Sequence, residues 1–98
     1  MTDFELKDNT FLRQFEACVE GEMATLEYAS QERKVFLTKL NIPSSLDKPG
    51  FKEAFLSSVL ERIESYKQKV VPTCPEVASF LKSNRAKYQS LLPVGIRI

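Results

Sequence analysis

The sequence predicts a mixed α+β fold: a three-stranded antiparallel meander, a helix, a fourth strand and a second helix. Two observations carry this. Apolar residues alternate with period two in "FLRQFEACVEG" and "EMATLEYAS", and in "FKEAFLSSVLERIESYKQK" they recur at intervals of three and four. A third, the 98-residue length with 43% hydrophobic content, allows one modest core, so residues 1–98 are expected to form a single domain.

In "FLRQFEACVEG" the residues Phe15, Ala17 and Val19 fall on one side and Gln14, Glu16 and Cys18 on the other, as in a half-buried strand. Gly21 supplies a turn. "EMATLEYAS" sets Ala24, Leu26 and Tyr28 against Thr25 and Glu27, and "QER" punctuates the chain before "KVFLTKLNI", which is apolar on both faces and therefore reads as central in the sheet. Pro43 ends that run, and "PSSLDKPG" is a loop of turn formers.

The first helix is marked by Phe51, Phe55, Leu56, Val59, Leu60 and Ile63 on one stripe. It cannot start far upstream of Pro49, because a proline pushes the preceding residue out of the helical region. "KVVP" is a short strand, and "TCPEVASFLKSNRAKY" is a second helix. Thr73 and Glu76 have the spacing of a capping box, and Pro75 suits a first turn, where amides have no intrahelical partner. The tail "SLLPVGIRI" is apolar but interrupted by Pro93 and Gly95; docking, an added edge strand and contact with a second chain all suit it.

Composition excludes several classes of function. Fourteen basic against thirteen acidic residues leave a formal charge of +1, which is no footprint for a phosphate backbone, so nucleic acid is not an expected partner. No apolar run approaches the length of a membrane span and no export signal opens the chain, so a cytoplasmic protein without a membrane partner is expected. The absence of histidine rules out Ser/His/Asp and Cys/His nucleophilic pairs, leaving carboxylate, tyrosine, lysine or water as a base. Two cysteines without histidine make no structural zinc site, and free thiols are expected for Cys18 and Cys74.

Cys74, at the start of the second helix, admits two readings. A helix N-terminus stabilises a thiolate through its dipole and free amides, which would make the thiol nucleophilic. Alternatively Cys74 continues the apolar stripe of Val77 and Ala78, and position alone favours this packing role. A second candidate is the loop "LDKPGFKEAF", residues 46–55. Backbone amides at a helix entry bind phosphate and Lys48 and Lys52 would add charge, but Asp47 opposes this and one glycine beside a proline makes a weak anion nest.

The order "DNTFLRQFEACVEGEMATLEY", a proline-containing loop, a glycine-bearing helix start and "VVPTCPEVASFLKSNRAKY" resembles the short, roughly hundred-residue branch of the GNAT superfamily of acyl-CoA N-acyltransferases. The resemblance runs from Asn9 to Tyr88 and is most specific in "VPTCPEVASFL" followed by Tyr88; Phe15–Glu16, Gly21, Ala24, Leu26 and Tyr28 also match. It implies a twisted, mostly antiparallel sheet that opens at its fourth strand to admit the pantetheine arm of acetyl-CoA. The loop before the first long helix would hold the pyrophosphate, with Lys48, Gly50, Phe51 and Lys52 as the cofactor-binding positions. Cys74 would lie near the acyl end, and Tyr88 is a looser candidate for a general acid, packing at a helix end being the commoner role for such a tyrosine.

The departures from the family pattern are local. Where the family has Arg (or Gln)-Gly-x-Gly, this chain has Asp47, Lys48, Pro49 and Gly50, so a repulsive charge replaces an attractive one and Lys48 brings a β-carbon toward the phosphate. Lys39 stands in place of the branch's histidine, with Ile42 and Pro43 following. The resemblance implies acetyl transfer from acetyl-CoA to a small-molecule or protein amine, directly or through an acyl-thioester on Cys74. The departures support an alternative, a catalytically silent GNAT-like domain that binds another ligand or protein. A thiol-redox role for Cys74 is the weakest reading, since Cys18 lies on a separate strand.

Overall fold

The computed structural model describes residues 4–48 and 50–92. Pro49 and the tail beyond Leu92, including Pro93 and Gly95, lie outside the described residues. Five strands form one sheet in sequential order: β1 (Leu6–Asn9), β2 (Gln14–Val19), β3 (Glu22–Gln31), β4 (Lys34–Asn41) and β5 (Lys69–Pro72). β1 to β4 are antiparallel neighbours, whereas β5 lies parallel to β4. A parallel neighbour cannot be reached by a hairpin, so the chain crosses back through helix α1 (Phe51–Ser65). After β5 come α2 (Pro75–Ser83) and the short α3 (Arg85–Tyr88).

The expected meander is β2–β3–β4, and β4 is indeed flanked on both sides. β1 was not expected from the sequence. It is held by side chains distant along the chain: the hydroxyls of Tyr28 and Tyr66 donate to the two carboxylate oxygens of Asp8 at 2.7 and 2.9 Å, and Arg62 Nη2 donates to the Leu6 carbonyl at 3.2 Å. Burial and the Asp8 carboxylate together push the Tyr28 phenol above its ordinary pKa.

Both central hairpins use two-residue turns with positive φ at each position, the geometry that matches strand twist. Between β2 and β3 these are Glu20 (φ 51°) and Gly21 (φ 81°); between β3 and β4 they are Glu32 (φ 51°) and Arg33 (φ 65°). The second turn is thus made without glycine, at the steric cost of two β-carbons in the left-handed region.

One face of the sheet makes the core. Phe15, Ala17, Ala24, Leu26, Val35, Leu37 and Val70 meet the predicted α1 stripe, all of it buried, while Val77 and Leu81 of α2 and Tyr88 of α3 complete the cluster. Each fully buried Leu, Phe or Val contributes about 1.5–3 kcal/mol, which is why a sheet with helices on one side is stable at this size. The opposite face alternates polar residues, and Glu16 is its buried member, 7% exposed. The Gln14 side-chain amide donates to Glu16 Oε2 at 2.6 Å and that of Asn9 at 3.0 Å. The Gln14 bond, outweighing desolvation and aided by Asn9 and Lys7, holds the carboxyl below the ordinary glutamate range.

Two expectations are corrected. The capping box at Thr73 and Glu76 does not form: Thr73 Oγ1 donates to the Leu37 carbonyl at 2.9 Å, Cys74 is the N-cap, and Glu76 lies 4.0 Å from Lys52 Nζ. Thr73 has a strand carbonyl within reach, and that partner wins over the local amide. Nor does the helix run unbroken to Tyr88. Asn84 leaves helical geometry (φ −122°, ψ 34°) while its side-chain amide donates to the Phe80 carbonyl at 2.9 Å, a local bond that competes with helix continuation.

Two stability measurements check these assignments. Arg33→Gly relieves a positive-φ position and should raise the urea unfolding free energy by about 0.5–1 kcal/mol. Because the Glu16 pKa is lowered on folding, its contribution is full above the unfolded value and is lost as pH falls through the folded one. Glu16→Gln should therefore lose about 1 kcal/mol at neutral pH and show a shallower decline on acidification, read from urea melts at successive pH values.

Candidate active site

The parallel pairing of β4 with β5 covers Lys34↔Lys69 through Leu37↔Pro72 and ends there, although β4 continues against β3 as far as Asn41↔Thr25. Residues 38–41 of β4 thus have no β5 partner among the described residues. Three local causes coincide at this point. Pro72 offers no amide hydrogen to continue the ladder. The β3–β4 register passes from Tyr28↔Leu37 to Glu27↔Lys39, leaving Thr38 as an extra residue in a bulge that bends the strand, its hydroxyl donating to the Glu27 carbonyl at 3.1 Å. Finally, the Leu37 carbonyl receives the Thr73 amide at 3.2 Å, the Cys74 amide at 3.0 Å and the Thr73 hydroxyl, which turns the chain out of β5 into α2.

Parallel strands deliver their carboxyl ends to the same edge of a sheet, and ligands in such folds bind in the crevice outside those ends. Here the helices that follow β4 and β5 both begin at that edge. Lys52 in the first turn of α1 and Glu76 in the first turn of α2 stand 4.0 Å apart, so the two N-termini are neighbours beside the parting strands.

Of the sequence-predicted residues, Gly50, Lys52 and Cys74 are brought to this edge. Cys74 is the N-cap of α2 in extended geometry (φ −86°, ψ 125°), its carbonyl accepting from the Ala78 amide at 3.0 Å. Its position at a helix start is as expected. The thiol makes no capping bond and is only 6% exposed, packed in the same core cluster as Val77 and Leu81. Phe51 sits at the helix entry, but its ring is in the core, against Phe4 and Phe55. Tyr88 is placed elsewhere: it is buried, its hydroxyl donates to Ser57 Oγ at 3.1 Å halfway along α1, and its ring packs on Phe80.

The entry to α1 has a feature that sequence reasoning missed. A 3₁₀ turn, Ser44–Leu46, leads in. The Asp47 amide donates to the Ser44 carbonyl, that of Lys48 to Leu46 at 2.8 Å, and that of Phe51 to Lys48 at 3.2 Å. Gly50, at φ 90°, donates its amide to Glu53 Oε1 at 3.1 Å. Diphosphate binding at a helix entry relies on free amides, and here those of residues 47, 48, 50 and 51 are already engaged. The signal was present as a glutamate three residues after the glycine, the spacing of a reciprocal cap. The donors at the other end of the crevice are different: the unpaired edge of β4 has the main-chain chemistry to accept an extended arm. The helix entry thus has four amides engaged within the chain, whereas residues 38–41 of β4 have no ladder partner on the β5 side among the described residues.

A mostly antiparallel sheet whose single parallel pair parts above two adjacent helix N-termini is the architecture that the sequence resemblance implies. A family model described as GCN5-related N-acetyltransferase matches residues 14–91, and the chain belongs to that family. Its fold is similar to the solution NMR structure of a GCN5-like protein from Staphylococcus aureus, with a TM-score of 0.71 and 17% sequence identity over 99% of this chain and 94% of that one. No curated protein sequence matches the chain.

The burial of Cys74 beside the exposed Cys18 predicts a two-phase thiol titration. Under native conditions one equivalent should react promptly with an aromatic disulfide reagent and the second only on unfolding, and Cys18→Ser should abolish the prompt phase.

Proposed function

We propose that the chain is an N-acetyltransferase that transfers an acetyl group from acetyl-CoA to the amino group of a small molecule or a protein. The observation that carries this reading is the parting of β4 from β5, which leaves residues 38–41 as an open strand edge next to the α2 N-terminus. Acetyl-CoA, when bound, supplies an acyl group already activated as a thioester. The chain's own residues have two tasks. The edge of β4 holds an extended arm by main-chain hydrogen bonds, as an added strand would be held. The Leu37 carbonyl, filled by Thr73 and Cys74, fixes the α2 N-terminus beside that edge. Cys74 is buried in the core cluster with Val77 and Leu81 and makes no capping bond, which favours direct attack by the amine over a covalent acyl-cysteine.

With no histidine in the chain, the attacking amine loses its proton to a carboxylate, tyrosine, lysine or water. Tyr88 is the candidate acid for the departing thiolate, and its bond to Ser57 supports the packing role in preference.

A second reading, a silent GNAT-like domain that binds another ligand or protein, is favoured by one observation, the Glu53 carboxylate on the Gly50 amide. Titrating isotope-labelled protein with acetyl-CoA, and with CoA lacking the acyl group, separates the two. The first reading expects saturable amide shifts centred on residues 38–41 and Cys74, larger for the acylated compound. Unmoved amides across that edge would hand the fold to the second.

A further inference from the structure

We infer that the thioester donor of this chain is recognised through its pantetheine arm alone, because the carboxylate of Glu53 occupies the anion seat at the entry to α1. The donor assignment rests on the acyltransferase reading above; the occupied seat does not.

The seat is made of groups that would otherwise face an anion. Gly50 is held at φ 90°, a conformation that a β-carbon would strain, and nothing lies within 4 Å of where that β-carbon would stand. Glu53 Oε1 accepts that amide at 3.1 Å. A carboxylate there meets the same donor and the same end of the helix dipole that a phosphate oxygen would. The amides of Lys48 and Phe51 on either side point back into the turn, to the Leu46 and Lys48 carbonyls. Position 49, as proline, has no amide hydrogen.

Displacing the carboxylate does not empty the site electrostatically. Glu53 remains in the first turn of α1 and Asp47 lies three residues before Gly50, so the charges of Lys48 and Lys52 are offset within this segment. The nearest cation of the first turn, Lys52, is drawn toward Glu76 of α2. The open edge of β4, by contrast, is main chain and carries no such conflict. A donor that gains nothing from a nucleotide diphosphate is a pantetheine thioester, free or as its 4′-phosphate, and the nucleotide half of CoA would extend past the chain without adding affinity.

Two measurements test this. Inorganic pyrophosphate is titrated into labelled wild-type protein and into Glu53→Ala and Glu53→Gln. Glu53 is exposed, so both variants should fold, and their spectra report it directly. The expected result is a Gly50 amide that stays put in the wild type and shifts saturably in Glu53→Ala; saturation in the wild type, or none in the alanine variant, overturns the occupied seat.

Affinities for acetyl-CoA, S-acetylpantetheine and its 4′-phosphate are then compared. The three should agree within about threefold in the wild type, and acetyl-CoA should become the tightest in Glu53→Ala. A wild-type preference of about tenfold or more for acetyl-CoA over both shorter thioesters overturns the inference while sparing the acyltransferase reading. A preference of that size for the 4′-phosphate over S-acetylpantetheine overturns recognition by the arm alone. Binding of none of the three overturns the acyltransferase reading and the donor assignment with it, while the pyrophosphate titration still decides the seat.

Discussion

The carbonyl of Leu37 is the fixed point of the molecule. Two amides and a hydroxyl from the adjacent residues Thr73 and Cys74 converge on it, where most strand carbonyls receive a single ladder bond. Each such bond is worth about 0.5–1.5 kcal/mol net, so together they can hold a chain reversal that proline at position 72 has already begun. Their effect is geometric as much as energetic. They end β5, start α2 and release the rest of β4 from a second neighbour. A carbonyl has two lone pairs, and this one is saturated; a ligand entering the crevice must use the groups beyond it.

The position of α1 follows from the same topology. A parallel β5 requires a crossover, and a crossover helix packs on one face of the sheet, which demands a broad apolar stripe on the helix and an apolar face beneath it. Phe51, Phe55, Leu56, Val59, Leu60 and Ile63 meet that demand from one side, and Leu26, Leu37 and Val70 from the other. The consequence for function is that α1 and α2 begin at the same edge of the sheet. The N-terminus of α2 would not stand beside that of α1 if β5 were antiparallel, because the carboxyl end of β5 would then lie at the opposite edge. The Lys52–Glu76 pair, at 4.0 Å between partly exposed groups, reports this proximity more than it creates it.

Features that depend on period were legible in the sequence: the alternation of β2 and β3, the turn at Gly21, and the α1 stripe. Features that depend on a distant partner were not. β1 has no clear alternation of its own, and Asp8 acquires its role only when Tyr28 and Tyr66 arrive from β3 and the end of α1. Thr73 has the spacing of a cap, yet a strand carbonyl 36 positions away takes its hydroxyl. The bulge at Thr38 leaves no mark in residue types, because any side chain can occupy it. Within the site, the start of α2 at Cys74 could be read from Pro75, whereas the burial of the thiol is a property of the assembled core. Phe51 was expected beside a cofactor, and its ring turned to the core because it opens the apolar stripe.

The two halves of the crevice are encoded by different means, and this explains how they can disagree. The open edge of β4 is produced by main-chain events: a bulge, a proline and a saturated carbonyl. None of these requires a particular side chain along residues 38–41, so substitutions there leave the opening intact. The anion seat depends on a few specific groups, namely free amides, a glycine at positive φ and the sign of the nearby charge. Gly50 keeps the conformation, but Asp47 and Glu53 offset the charges of Lys48 and Lys52, and the Glu53 carboxylate closes on the amide that the glycine presents. A fold built this way can keep its open strand edge while the helix entry beside it changes, because the first is fixed by the backbone of the whole sheet and the second by a few side chains at the start of one helix.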